Sequence, residues 1–320
     1  MIKYAPIVIT TLNRDKHFIR CIESLANCTH ANESDLYIGL DYPLNDSHWE
    51  GYRKIENYLK QICGFKTINI FKRDKNFGAI KNSEDLFEKV FNKYDRLIET
   101  EDDNEFSPNF LDYLNKGLSK FENENKVSFI CAYNGIIKMS NKYNPAYYFN
   151  KSFVGWGFAL WKNKYTEIIW DYKQLESFIS EKKNKSELKS LFPQHYYTVK
   201  SKIKDKGILH GDGIIPLLNI MNDTYCVYPT ISLVRNHGFD GSGVHCSKIE
   251  YADKYHKQVK DNNTEFSFIG NPPVEIDPLI WSTFKKQTKP SFIKRIKYQL
   301  KLNSCIAPII NFFCKKTTKR

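Results

Sequence analysis

The chain has 320 residues, with 48 Lys and Arg against 36 Asp and Glu, a formal net charge of +12, and 41% hydrophobic residues. That balance suits one large soluble α/β domain, or one domain with an appendage, and no apolar run approaches the roughly 18 residues that span a bilayer. Eleven basic residues and no acid follow Pro278, so residues 1–277 hold only about +1, and this near-neutral body argues against nucleic acid as the partner.

In chain order, Ile7–Thr11 reads as a β-branched strand, and 15–28 as a helix with Phe18, Ile22 and Leu25 at helical spacing. A strand over 36–40 stops at Asp41-Tyr-Pro43. A helix over 49–62 and a strand over 67–71 follow. The Asn76-Phe-Gly78 turn then introduces a helix that includes 83–91, and 96–99 is a fourth strand. Strand and helix alternating in this way predict a mainly parallel sheet with helices on its faces and ligands at the carboxyl edge of its strands. Further on, 127–132 and 225–234 read as strands, 153–161 as an apolar segment punctuated by glycine, and 214–221 as a short helix or strand. Residues 171–206 are polar, lysine-rich and expected to be helical with a mobile loop, and 262–277 reads as loop. The eight cysteines form no CxxC pair, which points to reduced thiols in a cytosolic compartment.

The segment from Leu97 to Phe110 carries the chemistry. An apolar strand ends in three consecutive acids, Glu101, Asp102 and Asp103, and Ser107-Pro108 is expected to cap a helix with Phe110, Leu111, Leu114 and Leu118 on its buried face. Adjacent carboxylates repel one another, and a hard divalent cation such as Mg²⁺ or Mn²⁺ relieves that repulsion. On a diphosphate, such an ion neutralises the charge that develops as a group departs.

This pattern resembles the DXD motif of GT-A glycosyltransferases of the family 2-like kind. More closely, Glu101-Asp102-Asp103 with Ser107-Pro108-x-Phe110 resembles the Glu-Asp-Asp motif of the N-acetylglucosaminyltransferase I type and of bacterial surface-glycan transferases on the same plan. The resemblance implies an α/β GT-A (Rossmann-like) fold with a mainly parallel sheet flanked by helices. It implies transfer of a sugar from a nucleotide diphosphate sugar, UDP-linked by preference, to a glycan acceptor, with inversion. It makes Asp103 the metal ligand, with Glu101 and Asp102 contacting the donor.

Other positions follow from the same resemblance, which spans roughly residues 5–245 and has its most specific motifs at 97–110 and 155–157. Thr11, Asn13 and Arg14 correspond to the first nucleotide-binding loop, and Asp41 to the residue that meets the base. Asn76, Gly78 and Lys81 fall in the loop beneath the nucleotide, where Lys81 is placed to meet a phosphate. Gly155-Trp156-Gly157 corresponds to a segment beside the donor sugar and acceptor. There the glycines let backbone approach a ligand and Trp156 can stack on a sugar ring. An inverting transfer needs a general base, and Asp212, between two glycines, is the expected one. His237 or His245 is expected against the metal, with His245 preferred.

The domain reading is 1–277 as the transferase domain, with 1–125 as nucleotide-binding half and 126–277 as acceptor half. Residues 278–320 form a basic amphipathic tail. Phe292, Ile293, Ile296 and Leu300 share one helical face while Lys294, Arg295, Lys297 and Lys301 lie largely elsewhere, the pattern of a membrane-surface helix. With no signal peptide expected at Met1, this predicts a cytoplasmic protein peripheral at the inner face of the cell membrane, using a lipid-linked or other glycan acceptor in polysaccharide biosynthesis. Two alternatives remain. A sugar nucleotidyltransferase would share the sheet and acids, but would open with a glycine-rich basic loop where this chain has Thr-Leu-Asn-Arg. A non-catalytic carbohydrate-binding protein would bind glycan without turnover.

Overall fold

The computed structural model describes residues 4–135, 138–165, 169–243 and 258–288. The chain divides into two compact units, Met1–Thr166 with Tyr225–Asp277, and Glu167–Thr224 with Pro278–Arg320.

The first unit opens with β1 (Ile7–Thr11), α1 (Asp15–Ala26), β2 (Asp35–Leu40), α2 (Trp49–Tyr58), β3 (Thr67–Lys72), α3 (Ala79–Phe91) and β4 (Arg96–Glu101). It continues with β5 (Asn104–Phe106), α4 (Phe110–Lys120), β6 (Val127–Cys131), β7 (Tyr147–Asn150) and β8 (Phe158–Trp161). In the second unit follow β9 (Ile169–Trp170), α5 (Tyr172–Ser180), α6 (Lys182–Leu191), α7 (Pro193–Lys204), β10 (Leu209–His210) and α8 (Ile215–Asn222). β11 (Tyr225–Pro229) and β12 (Val234–Asn236) belong to the first unit, and α9 (Pro278–Thr288) to the second.

Eight strands of the first unit form one sheet in the order β3-β2-β1-β4-β8-β6-β11-β7. β3, β2, β1 and β4 are mutually parallel, as are β6 and β11, while β8 runs antiparallel between β4 and β6 and β7 runs antiparallel to β11. The architecture is therefore the expected α/β one, a mainly parallel sheet flanked by helices. Side chains alternate across each strand. Ile7 and Ile9 of β1, with Ile38 and Leu40 of β2, pack into a core with Phe18 and Ile22 of α1, Ile55 of α2 and Leu111 of α4. Gly39 faces the other way, where an added Cβ would lie 2.5 Å from Asn82 Oδ1 and 3.0 Å from Leu86, so α3 covers the opposite face. Burying an aliphatic or aromatic side chain of this kind contributes about 1.5–3 kcal/mol.

The second unit is a small helical bundle with a two-stranded ribbon of β9 and β10. Leu175, Phe178, Leu188, Val199, Leu217 and Ile220 form its core. Asp171 starts α5 with a capping box, accepting from Lys173 N and Gln174 N while Asp171 N donates back to Gln174 Oε1.

Three local expectations differ from the structure. α4 begins at Phe110, not at Ser107-Pro108: the Ser107 N–H donates to Leu233 O, which keeps that residue in the β5 extension, and its hydroxyl caps nothing. The strand expected over 225–234 is broken in two. Thr230 N turns to Ala146 O and Ser232 O accepts from Asp261 N, so those groups leave the ladder. β5 and β7 were not foreseen. Among the described residues no helix is long and apolar enough to cross a membrane. The amphipathic segment expected at 291–302 lies outside the described residues.

Candidate functional site

The site forms where β1 and β4 end side by side. Their parallel register sets Thr10 opposite Glu101, so the next residues, Thr11 and Asp102, emerge together at the carboxyl edge. Glu101 closes β4 and is exposed, whereas Asp102 and Asp103 are only 5% and 6% exposed. Thr11 Oγ1 donates to Asp102 Oδ2 at 2.8 Å. Arg14, in the turn between β1 and α1, reaches across both acids: Nη2 pairs with Asp102 Oδ1 and Nη1 with Asp103 Oδ2 at 2.7 Å. Burial pushes the Asp102 carboxyl up, and the Arg14 guanidinium only partly offsets that. Arg14 is itself held above its ordinary range, since its two carboxylate partners outweigh its own desolvation.

A second strand pair closes the site from the other side. β5 follows the acids directly and pairs antiparallel with β12, setting Asn236 opposite Asn104. Asn236 Nδ2 donates to Asp103 Oδ1 at 2.7 Å and to Asn104 Oδ1 at 3.0 Å, and its Oδ1 accepts from Gly238 N at 2.9 Å. His237 N donates to Asp103 O at 2.9 Å. The backbone at Gly238 lies against the acid so closely that a Cβ there would sit 2.1 Å from Asp103 Oδ2.

Glu105, on β5, gathers the neighbouring imidazole and ammonium groups. His237 Nε2 and Lys260 Nζ each lie 2.6 Å from its carboxylate. The hydrogen bond with His237, then Lys260, pulls the Glu105 carboxyl down to about 2 despite partial burial. Because the folded value lies below the ordinary 4.5, this carboxylate contributes stability above pH 4.5 that is lost as pH falls toward 2. Glu105→Gln should therefore unfold along a shallower acid limb than the wild type. Chemical denaturation between pH 5 and pH 2.5 checks this, and identical limbs would contradict it.

The loop after β12 is latched to α1. His17 Nε2 lies 2.9 Å from Asp240 Oδ2, and Ser242 Oγ donates to Asp240 Oδ1 at 2.6 Å. This loop sets Phe239 edge-on to Trp156, with ring centroids 5.6 Å apart, and Trp156 also meets Tyr133 at 4.5 Å. Gly157 adopts φ +83, and a Cβ there would lie 2.8 Å from Phe110, so Gly157 packs where a side chain does not fit.

The remaining expected residues divide into groups. Asp41, 4% exposed, accepts from Tyr42 N, Phe77 N and Gly78 N at 2.8–2.9 Å, so its carboxylate holds the 76–78 loop in place. Asn76 Nδ2 donates to Tyr42 O, which ties the loop down a second time. Gly78 takes φ +76 at the start of α3, and Lys81 is exposed on its first turn, 5.3 Å from the centre of the Phe77 ring. The Asn13 carbonyl is packed beneath Gly51 of α2, where a Cβ would come within 1.9 Å. Asp212 belongs to the second unit, exposed on the 3-10 turn Gly211–Gly213, and it is not the cap of α8. His195 Nε2, 2.6 Å from Gly213 O, steadies that turn. His245 lies outside the described residues. The structure thus joins Thr11, Arg14, Asp102 and Asp103 directly, sets Asn236 and Gly238, which flank the expected His237, against Asp103, and adds Glu105 and His17, which sequence reading did not assign to the site.

A divalent ion is the cofactor the resemblance implies. Among the described residues no three His, Cys, Asp or Glu side chains converge to hold one. A carboxylate offers about four acceptor positions, and the hydrogen bonds from Arg14 and Asn236 use one on each Asp103 oxygen. An ion that takes one carboxylate and fills its shell with water and phosphate fits this donor set.

No protein-family model matches the chain, and no curated protein matches it. Among solved structures it is similar to GalNAc-T7 with UDP, GalNAc and Mn²⁺, at 14% identity over 71% of this chain and 42% of that one, TM-score 0.41. It is similar to mannosyltransferase PcManGT from Pyrobaculum calidifontis in complex with GDP-Man and Mn²⁺, at 8% identity over 68% and 69%, TM-score 0.37. It is also similar to S. aureus TarS, at 14% identity over 44% and 23%, TM-score 0.30. The matched part of this chain spans less than half the length of TarS and of GalNAc-T7.

Proposed function

We propose that the chain is a GT-A-type glycosyltransferase that moves a hexosyl or N-acetylhexosaminyl group from a UDP-linked donor to a glycan acceptor, with inversion and with a divalent metal. The observation that carries this reading is the buried acid pair at the β4 edge, organised by Thr11, Arg14 and Asn236. Pre-set polar groups of this kind stabilise developing charge without reorganising during reaction.

Asp103 would hold the ion, which when bound spreads the charge of the departing diphosphate. Glu101 and Asp102 would face the donor sugar and ribose, and Arg14 carries a positive charge at the same edge. The 76–78 loop, held by Asp41, would lie beneath the nucleotide with Lys81 at hand for phosphate. Trp156 would stack on a sugar, and Asp212 would take the acceptor proton. The basic segment after residue 288 would dock the enzyme at an anionic membrane where lipid-linked acceptors are built, at about 1 kcal/mol per nearby basic residue.

The test is nucleoside diphosphate release from a panel of sugar nucleotides with Mn²⁺, with and without anionic vesicles. Turnover of one donor, abolished in Asp103→Ala and raised by vesicles only when 289–320 is present, is expected. Release of pyrophosphate from sugar phosphate and nucleoside triphosphate instead would replace this reading with the nucleotidyltransferase one.

A further inference from the structure

A groove of about 490 Å³ opens in the first unit, and neither acid of the pair is among its described lining residues. Thr230 and Ile231, which follow β11, form one wall, and the segment from Asp261 to Ile269 forms the other. Its surfaces are of two kinds. Ile231 and Ile269 stand 51% and 66% exposed, with Phe266 buried at 7%. Asp261, Asn263, Thr264 and Glu265 supply carboxylate, amide and hydroxyl groups. Apolar surface interleaved with hydroxyl- and carboxylate-bearing side chains suits the two aspects of a sugar, its C–H faces and its hydroxyl rim.

The groove is built, not incidental. Asn109, fully buried at the start of α4, holds it from beneath: Nδ2 donates to Asp261 Oδ2 at 2.8 Å and to Glu265 O at 3.4 Å. Asp261 Oδ1 in turn accepts from Asn263 N and Nδ2 at 3.1 and 2.7 Å. On the other wall, Thr230 N donates to Ala146 O and Ala146 N to Ile269 O. Charge then selects the ligand. No Lys or Arg is among the described lining residues, and the nearest cation in sequence, Lys260, is turned to Glu105 and Phe106 O. Lys116 Nζ reaches the Phe266 carbonyl at 3.1 Å but is paired with Asp112 at 2.8 Å, so among the described lining residues the two carboxylates, Asp261 and Glu265, set the charge, which repels an anionic sugar and accepts hydrogen bonds from hydroxyl or ammonium groups.

We propose that this groove is a second carbohydrate-binding site, distinct from the acid-pair site, that takes a neutral or amino-sugar residue of the acceptor glycan and rejects uronic acids and phosphorylated sugars. Lys260 links the two places: it neighbours Asp261 in the groove wall and holds Glu105, two residues beyond Asp103. A glycan gripped here would be retained between transfers. Naming the ligand as acceptor depends on the transfer reading, whereas carbohydrate binding itself does not.

The test is calorimetry or ligand-observed NMR on the full chain without nucleotide, using chitotriose, its deacetylated triamine and trigalacturonate. The first two should bind and the third should not. Ile231→Ser with Ile269→Ser should weaken chitotriose about tenfold through lost apolar contact. Glu265→Lys should weaken the triamine and admit trigalacturonate. Asp103→Ala should leave chitotriose binding unchanged, and the groove variants should leave nucleotide binding unchanged, so a failure of the groove and a failure of the transfer reading are told apart. The proposal is overturned if no trisaccharide binds, if trigalacturonate binds the wild type as well as chitotriose, if the groove variants bind like the wild type, or if Asp103→Ala abolishes the binding.

Discussion

Arg14→Ala should lower unfolding free energy by about 3 kcal/mol at neutral pH, at the low end of the 3–5 kcal/mol seen when one partner of a buried ion pair is removed. The low end applies because the Arg14 side chain is 23% exposed, whereas the side chains of its partners are 7% and 8% exposed. Without it, Asp102 and Asp103 face each other as uncompensated buried charges. Asp102, already pushed up by burial, would rise further. A carboxyl whose folded value lies above its unfolded one favours folding below that range, and the benefit is lost as pH rises through the folded value. The deficit of the variant should therefore shrink as the medium is acidified toward the range where Asp102 protonates. Urea titrations at pH 7.5 and pH 5 measure it. Arg14→Ala with Asp102→Asn should recover part of the loss. A deficit below about 1 kcal/mol, typical of an exposed pair, would show that the bridge is superficial.

On the proposed transferase reading, Gly238→Ala should reduce transfer by about a hundredfold, the scale of a displacement of roughly 1 Å at a reacting centre. The cause is space, not backbone conformation: the new methyl would lie 2.1 Å from Asp103 Oδ2 and 2.9 Å from its Cγ. Asp103 cannot swing aside without leaving Arg14 or Asn236. Overpacking of this sort costs about 1–3 kcal/mol of stability, so the fold should survive and activity should fall. Gly135, where an added Cβ meets nothing within 4 Å among the described residues, is the matched control and should tolerate alanine. Donor turnover and thermal midpoint on both variants decide the matter. Equal activity in the two would mean that the 238 loop stands clear of the reacting groups.

The first four strands and three helices were legible because each is long enough to show its period, and because the acids end a strand that is apolar at Leu97 and Ile98. The second half of the site was not legible. β5 has three residues, too few to display alternation, and its partner β12 lies about 130 residues away, so the pairing that brings Asn236 to Asp103 has no local signature. β7 is buried at all four positions, Tyr147 to Asn150, which removes the inside-outside contrast that marks a strand. Asp41 ends its strand where the resemblance sets the base contact, and its carboxylate also collects the loop amides of Phe77 and Gly78, a long-range pairing that has no local sequence signature. Ser107-Pro108 has the composition of a helix start, yet the ladder to Leu233 claims Ser107 first.

The acid pair at the β4 edge is the proposed nucleotide site. Binding of UDP, GDP, CMP and TDP, with and without Mn²⁺, to wild type and Asp103→Ala tests it most directly, by calorimetry and thermal shift. One nucleoside diphosphate should bind, stabilising the fold by about 2.7 kcal/mol at a hundredfold excess over Kd, and Asp103→Ala should abolish the metal dependence of that binding. If no nucleotide binds under any metal condition, or if Asp103→Ala binds with unchanged metal dependence, the acids organise the fold alone and the enzyme reading falls.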